Sequence, residues 1–262
     1  MAAEKVQLLD GTDLPCERLG DAKETPLIWG HGLGPSDPRG MTRRTCDSFP
    51  MLSEAFSPGK ASPFSAVIYD ARGHGASSGW EPKASCIQQF HWRSLAFDML
   101  SVASAHTVGG KGALLGGYSM GASSALWAAY SCPTAVRGLV LLCVTTAWEI
   151  RAARRGFLLK NAEMLKVTDP SAAEVVRGAA FADLPSLDDL RGAELCMPIL
   201  LCASRDDTTH PAEVAERLSK VLPSAELLLK DTKEELRLAF PSVLQEWLRR
   251  HFSSSKKRAI EE

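Results

Sequence analysis

The chain has 262 residues, of which 45% are hydrophobic, and this is enough apolar material for one full core, so we expect a single domain over residues 1–252. The 30 Lys and Arg residues nearly balance the 31 Asp and Glu residues, which excludes a global electrostatic field able to recruit nucleic acid or an anionic membrane. The charge balance favours a small molecule as the partner, and the composition leaves the oligomeric state open.

The N-terminal residues, the length of the apolar runs and the cysteines together predict a cytoplasmic protein. The first residues contain no apolar signal core, and no apolar run approaches the ~18 residues of a membrane span. Seven cysteines make an odd number without C-x-x-C spacing, and several lie in apolar runs, which is typical of reduced core thiols. Residues 253–262 are polar and charged, and they are predicted to form a frayed tail.

Short apolar segments recur between helix-length stretches in chain order. A predicted hairpin joins residues 6–9 to residues 15–18, and five segments typical of buried parallel strands follow, at 26–29, 66–69, 113–116, 139–144 and 199–203. Apolar residues at three- and four-residue spacing predict a helix within residues 88–105. This alternation predicts the α/β class, with a mostly parallel, doubly wound sheet covered by helices on both faces.

Two longer segments interrupt this alternation. Residues 145–194, here named the cap segment, are rich in Ala, Arg, Glu and Leu and are broken near Asp169-Pro170 and Pro185. They predict a small helical cap inserted over the mouth of a site, although an ordinary pair of packing helices is an equally good interpretation. Residues 35–63 are polar, contain five prolines, and are predicted to form a loop with one short helix.

Two glycine-containing motifs follow predicted strands. The sequence G-Y-S-M-G at residues 117–121 lies between an apolar strand and a helix-forming run, which is typical of a nucleophile elbow that projects the hydroxyl of Ser119. The sequence H-G-L-G at residues 31–34 predicts a turn whose backbone N–H groups bind developing negative charge on a carbonyl oxygen. The predicted oxyanion donors are the N–H groups of Leu33 and Met120.

The segments 26–34, 67–79, 114–129 and 198–218 together resemble the α/β-hydrolase superfamily, of the small esterase, lactonase and C–C hydrolase type. The resemblance covers residues 5–252 in the right order, and it implies Ser119 as the nucleophile with Leu33 and Met120 as the oxyanion donors. A dehalogenase or epoxide hydrolase of this superfamily would carry Asp at the nucleophile position, so Ser119 disfavours both. The resemblance also implies a structural turn at residues 70–73, in which His74 is a packing or surface residue rather than a catalyst.

The acid of a catalytic triad is expected after the strand at residues 199–203. Asp207 gives the better match to the superfamily, because Pro211, Ala215 and Leu218 then fall at the usual offsets, and Asp206 is the alternative. A carboxylate at this place orients and stabilises an imidazolium. The other interpretation is a solvated loop pair or an N-cap for the helix that begins near residue 212.

The base of the triad is missing from its usual place. The superfamily pattern leads to Gly-His after the last strand, whereas this chain reads K-D-T-K-E-E at residues 230–235, so the vacant position falls at Glu234 or Glu235. A glutamate, with an unperturbed pKa of about 4.3 against about 6.5 for histidine, is poorly matched to taking a serine proton. His210 is the candidate substitute, because it lies three residues after Asp207; its alternative role is that of a helix-start residue before Pro211.

These residues predict a serine hydrolase of the carboxylic ester hydrolase class, which cleaves an ester, thioester or lactone-type acyl substrate through a Ser119 acyl-enzyme. The alternative is a catalytically inactive α/β-hydrolase-like binding or sensor protein that lacks the triad histidine. No cofactor is expected, because the chain has no G-x-G-x-x-G after the first strand and no P-loop lysine. No metal site is expected either, because no histidine has a ligand spacing such as H-E-x-x-H.

Overall fold

A computed structural model describes residues 4–20, 26–57, 63–80, 87–107 and 112–253. Its strands are β1 (Glu4–Gln7), β2 (Asp13–Leu19), β3 (Leu27–Gly30), β4 (Ala66–Tyr69), β5 (Ala113–Tyr118), β6 (Val136–Leu142), β7 (Ile199–Ser204) and β8 (Ala225–Lys230). Its α-helices are α1 (Phe49–Ala55), α2 (Trp92–His106), α3 (Met120–Ser131), α4 (Trp148–Thr168), α5 (Pro170–Phe181), α6 (Leu187–Gly192), α7 (Ala212–Val221) and α8 (Lys233–Phe252).

All eight strands form one sheet in the order β1-β2-β4-β3-β5-β6-β7-β8. The pairs β1–β2 and β2–β4 are antiparallel, and the remaining pairs are parallel. The predicted N-terminal hairpin therefore forms one edge of the sheet, and the five predicted parallel strands lie inside it. The predicted α/β class is confirmed.

The sheet is buried on both faces because its inner strands are apolar at successive positions. Every residue of β3 and β4 is buried, as is every residue of β6 except Arg137. One face packs against α2, α3 and α7, and the other packs against α1 and α8. The predicted apolar face of α2 is confirmed, since Trp92, Leu95, Ala96, Met99, Val102 and Ala103 are all buried.

The cap segment contains three helices, α4, α5 and α6. Asp169 ends α4 and starts α5: its carboxylate accepts a hydrogen bond from the N–H of Ala172 at 2.9 Å, and Pro170 occupies the first helical position. Leu158 and Ala162 of α4 pack against Val176 of α5 in a small core separate from the main one. The helix break expected at Asp169-Pro170 is therefore present.

Two other predicted segments lie only partly within the described residues. The loop at residues 35–63 contains one short helix, α1, as expected, and residues 58–62 of it lie outside the described residues. Helix α8 runs to Phe252, and residues 254–262 of the predicted polar tail also lie outside them. Among the helices described, none is both long enough and apolar enough to cross a lipid bilayer.

Candidate active site

Ser119 lies in a sharp turn between β5 and α3. Its backbone has φ +55° and ψ −110°, a conformation that non-glycine residues rarely adopt and that costs roughly 1–3 kcal/mol. The turn is packed tightly against neighbouring backbone, because a Cβ atom on Gly121 would overlap with the carbonyl group of Gly30, and one on Gly117 would overlap with Gly121 itself. Strand β5 and its glycines therefore hold the hydroxyl of Ser119 at the carboxyl edge of the parallel strands.

A hydrogen-bonded chain joins Ser119 to the loop between β7 and α7. The Nε2 atom of His210 lies 2.9 Å from Oγ of Ser119, and the Nδ1 atom of His210 lies 3.0 Å from Oδ2 of Asp207. All three residues are buried. A carboxylate only accepts hydrogen bonds, so Nδ1–H donates to Asp207, and Nε2 is then free to accept the hydroxyl hydrogen of Ser119.

Asp207 and His210 are fixed together by a tight turn. Oδ1 of Asp207 accepts hydrogen bonds from the N–H of Thr209 at 2.8 Å and from the N–H of His210 at 3.0 Å. Burial alone would raise the pKa of Asp207, but the hydrogen bond and charge of His210, together with the two backbone N–H groups, lower that pKa to about 2. The carboxylate is therefore ionised at neutral pH.

Side chains from other elements hold this loop. Arg154 of α4 donates hydrogen bonds to the carbonyl oxygens of Thr209, at 2.9 Å, and of Thr208. The ring of Tyr118 meets the imidazole of His210 edge to face, with 5.2 Å between the ring centroids. The cap segment and the strand before the elbow therefore both contact the loop that carries Asp207 and His210.

The H-G-L-G turn lies directly beside the elbow. The N–H of Gly121 donates to the carbonyl oxygen of His31 at 2.9 Å, which joins the start of α3 to this turn. Leu33 follows in the same loop, and Met120 is the first residue of α3, where backbone N–H groups have no acceptor within the helix. The two predicted oxyanion donors thus lie in segments that flank Ser119.

The imidazole of His31 is hydrogen bonded to two backbone groups and so holds the H-G-L-G turn in place. Its Nε2 atom accepts a hydrogen bond from the N–H of Ala71 at 2.9 Å, so its Nδ1–H donates to the carbonyl oxygen of Gly32 at 2.7 Å. Burial lowers the pKa of His31, which keeps the imidazole neutral in this arrangement. The sulfur of Cys46 accepts a hydrogen bond from the N–H of Gly32 at 3.4 Å, which also fixes this turn.

A cavity of about 320 Å³ opens onto the hydroxyl of Ser119. Its walls come from the loops after β3, β5, β6 and β7, from the start of α2, from the start of α8, and from the inner side of α4. The lining residues are Gly32, Leu33, Pro35, Met41, Cys46, Asp47, Trp92, Tyr118, Ser119, Thr145, Thr146, Arg151, Arg154, Phe157, Leu158, Asp207, Thr209, His210 and Lys233.

The other residues considered for the site lie elsewhere. Oδ1 of Asp206 accepts the N–H of Lys233 at 2.8 Å, so this carboxylate is at the start of α8. Glu234 pairs with Arg237, and Glu235 forms a capping box with Thr232 at the same helix start; both glutamates are exposed. Of residues 233–235, Lys233 is the one that lines the cavity, with its Nζ 4.0 Å from Oδ1 of Asp207.

The turn at residues 70–73 is held by buried charged groups. Arg72 donates to both carboxylate oxygens of Asp98, at 2.9 and 3.0 Å, while Asp70 accepts the guanidinium of Arg43 at 2.7 Å. Burial lowers the pKa of His74 to about 3, so this imidazole is neutral inside the turn. These contacts give the turn a structural role.

The sequence predicts a cap over the mouth of the site, but it does not identify which residues of α4 line the cavity. Arg151 and Arg154 lie three residues apart, a spacing that places both on one side of a helix, and both line the cavity. This spacing was the available signal, but it does not by itself say which side of α4 faces the site. Among the described residues, no group of His, Cys, Asp or Glu side chains is arranged to hold a metal ion.

Comparison with known proteins identifies the family of the chain. The family model described as "Alpha/beta hydrolase family" matches residues 27–260, so the chain belongs to the α/β-hydrolase family. No curated protein sequence matches the chain significantly.

Solved structures with the same fold have low sequence identity to this chain. A hydrolase from Pseudomonas aeruginosa PA01 is 20% identical with a TM-score of 0.68, over 94% of this chain and 98% of that one. A thermophilic esterase from Thermogutta terrifontis is 20% identical with a TM-score of 0.67, over 97% of this chain and 100% of that one. A meta-cleavage product hydrolase from Pseudomonas fluorescens IP01 is 16% identical with a TM-score of 0.68, over 95% and 98%.

Proposed function

We propose that the protein is a serine hydrolase that cleaves an ester, thioester or lactone-type bond through an acyl-enzyme on Ser119. The observation that carries this proposal is the hydrogen-bonded chain from Ser119 through His210 to Asp207, with distances of 2.9 and 3.0 Å. A serine becomes a useful nucleophile when a base accepts its proton and a carboxylate orients that base. In this proposal His210 supplies the base that Glu234 and Glu235 do not supply.

The reaction follows from the placement of these groups. Oγ of Ser119 attacks the carbonyl carbon of the substrate while its proton passes to Nε2 of His210, and Asp207 stabilises the imidazolium. The N–H groups of Leu33 and Met120 bind the oxyanion that forms. The bond to the leaving group then breaks, and the imidazolium returns its proton to that group. Water attacks the acyl-enzyme with His210 again as the base, which releases the acid and restores Ser119.

The cavity favours a small acyl group. A volume of about 320 Å³ is at the lower end of small-molecule pockets, and much of the wall is formed by the apolar side chains of Leu33, Met41, Trp92 and Leu158. The esterase with the same fold supports ester cleavage as the reaction class. The cap segment, whose helix α4 lines the cavity, is proposed to select among such substrates.

Steady-state turnover of p-nitrophenyl acetate and butyrate tests the proposal. Wild-type protein should hydrolyse both, whereas Ser119→Ala and His210→Gln should each lose about 10⁴-fold or more in kcat. His251→Gln is a matched control, because this histidine pairs with Glu226 at the far end of α8. Mass spectrometry of a quenched reaction should detect the acyl group on the peptide that contains Ser119.

The non-catalytic alternative predicts a different result. Wild-type protein would then show no more turnover than Ser119→Ala, and no acyl adduct would form. Equal activity of His210→Gln and wild type would instead contradict the role of His210 as the base.

A further inference from the structure

Arg151 is a buried cation on the wall of the candidate active site. Only 5% of its surface is exposed. Its Nε donates to the carbonyl oxygen of Ala182 at 3.1 Å, its Nη2 donates to that of Ala179, and its guanidinium lies over the ring of Trp92 at 5.2 Å from the centroid. These contacts fix the side chain at the carboxyl end of α5, where the helix dipole favours a cation.

The charge of Arg151 is only partly compensated by a carboxylate. Against the larger effect of burial, the charge of Asp183 raises the pKa of Arg151, but among the described residues no carboxylate lies within ion-pairing distance of this guanidinium or accepts a hydrogen bond from it. Burial lowers the pKa of Arg151 to about 10, so the side chain is still charged at neutral pH. A buried charge is costly unless it is paired. The backbone carbonyls compensate one edge of the guanidinium, and Arg151 is one of the residues that line the cavity.

The other charged residues around the cavity are less suited to bind an anion inside it. Arg154 is engaged by the loop at residues 208–209, and Lys233 is 60% exposed at the start of α8. Two carboxylates line the cavity within the part of the chain that the structure describes; Asp207 is hydrogen bonded to His210, and Asp47 is exposed. Among the described cations that line the cavity, Arg151 is therefore the most buried.

We infer that the acyl group of the substrate carries a carboxylate that binds Arg151, so that the substrates are half-esters or half-thioesters of a small dicarboxylic acid. This inference rests on the proposed serine hydrolase function. A guanidinium is suited to a carboxylate because its N–H groups match the two oxygens. A sphere of 320 Å³ is about 8 Å across, which accommodates a diacid of about four to six carbons.

The test compares esters that differ in the position of the negative charge. The substrates are the p-nitrophenyl half-esters of succinic, glutaric and adipic acids, the neutral p-nitrophenyl butyrate, and 4-carboxyphenyl butyrate, which carries its carboxylate on the leaving group. After subtraction of the spontaneous rates, the best half-ester should exceed p-nitrophenyl butyrate by about 10-fold or more in kcat/KM.

Variants then assign the preference to one side chain. Arg151→Gln should lower kcat/KM for the best half-ester by about 10- to 100-fold more than it lowers kcat/KM for p-nitrophenyl butyrate. Arg151→Lys should keep part of the preference because it keeps the charge. Arg155→Gln is the matched control, since Arg155 lies on the same helix and donates to the carbonyl oxygen of Ala180 at 3.3 Å, and it should leave the preference unchanged.

Three results would overturn the inference: half-esters no better than butyrate in wild type, an equal loss for both substrates in Arg151→Gln, or a gain seen with 4-carboxyphenyl butyrate alone. Absence of turnover for every ester would contradict the proposed function itself. Calorimetric titration of Ser119→Ala with glutarate then tests Arg151 separately. Binding that weakens about 10-fold in Ser119→Ala/Arg151→Gln supports the anion site, and absence of binding overturns it.

Discussion

Replacement of Arg154 by leucine tests how α4 holds the loop that carries Asp207 and His210. The guanidinium donates hydrogen bonds to the carbonyl oxygens of Thr208 and Thr209, the two residues between the proposed acid and base. Both hydrogen bonds lie at the exposed surface, and each is worth about 1 kcal/mol, so the loop loses about 2 kcal/mol of restraint. Because the Nε2–Oγ distance depends on this loop, we expect kcat to fall by about 10- to 100-fold.

The assay is the kcat and KM for a neutral ester, p-nitrophenyl butyrate, with thermal unfolding measured in parallel. Arg155→Leu is the matched control, because it removes a hydrogen bond from α4 to α5 without touching the loop. Arg154→Lys should lose less activity than Arg154→Leu, since one donor and the charge remain. An unchanged kcat in Arg154→Leu, or an equal loss in Arg155→Leu, would refute this reasoning.

Three further predictions concern the acid, the elbow and the buried imidazole. Asp207→Asn should lower kcat for p-nitrophenyl butyrate by about 10³- to 10⁴-fold, because an amide does not hold His210 in the required tautomer, and kinetics near wild type would contradict this role. Gly121→Ala should lower the unfolding free energy in urea by about 3 kcal/mol or more, because the new Cβ overlaps with Gly30; an unchanged midpoint would be inconsistent with the elbow geometry. The unfolded chain protonates His74 below its ordinary pKa of 6.5 and the folded chain only near 3, so acid destabilises the wild type through this residue between those values. His74→Asn removes that proton uptake, and urea unfolding at pH 5 and pH 7.5 should show the variant gaining about 2 kcal/mol relative to wild type on acidification; parallel pH dependence would argue against a neutral buried imidazole.

The fold and the elbow could be predicted because their signals are local. Buried parallel strands are short apolar runs. The turn at Ser119 needs glycine at positions 117 and 121, because a Cβ atom at either position would overlap with neighbouring backbone, as in any nucleophile elbow. The break between α4 and α5 was equally local, since Asp169 and Pro170 are typical of a helix end followed by a helix start.

The relation between His210 and Ser119 was only a hypothesis from sequence, because 91 positions separate the two residues. The sequence established that His210 is three residues after Asp207, which is compatible with a helix start as well as with a base. The turn at residues 207–210 and the register of β5, β6 and β7 bring the two side chains together. Such distances depend on how several strands pair, which local patterns do not contain.

The surroundings of the site were the least predictable part. The side of α4 that faces the cavity depends on its packing against α5, so the roles of Arg151 and Arg154 could not be read from their spacing. The sequence pattern predicts the vacant histidine position at Glu234 or Glu235, and the structure brings Lys233 to the cavity instead. One residue of difference at a helix start changes which side chain points inward, because successive helical residues differ in direction by about 100°.

The most direct test of the account is the rate constant for labelling of Ser119 by a fluorophosphonate, which reports activation of the serine without depending on the natural substrate. We expect wild-type protein to react rapidly, Ser119→Ala not at all, and His210→Gln about 10³-fold or more slowly than wild type. Glu234→Gln and Glu235→Gln should label at the wild-type rate, since both glutamates are exposed and engaged at the start of α8. Labelling of wild type no faster than that of His210→Gln would contradict the account.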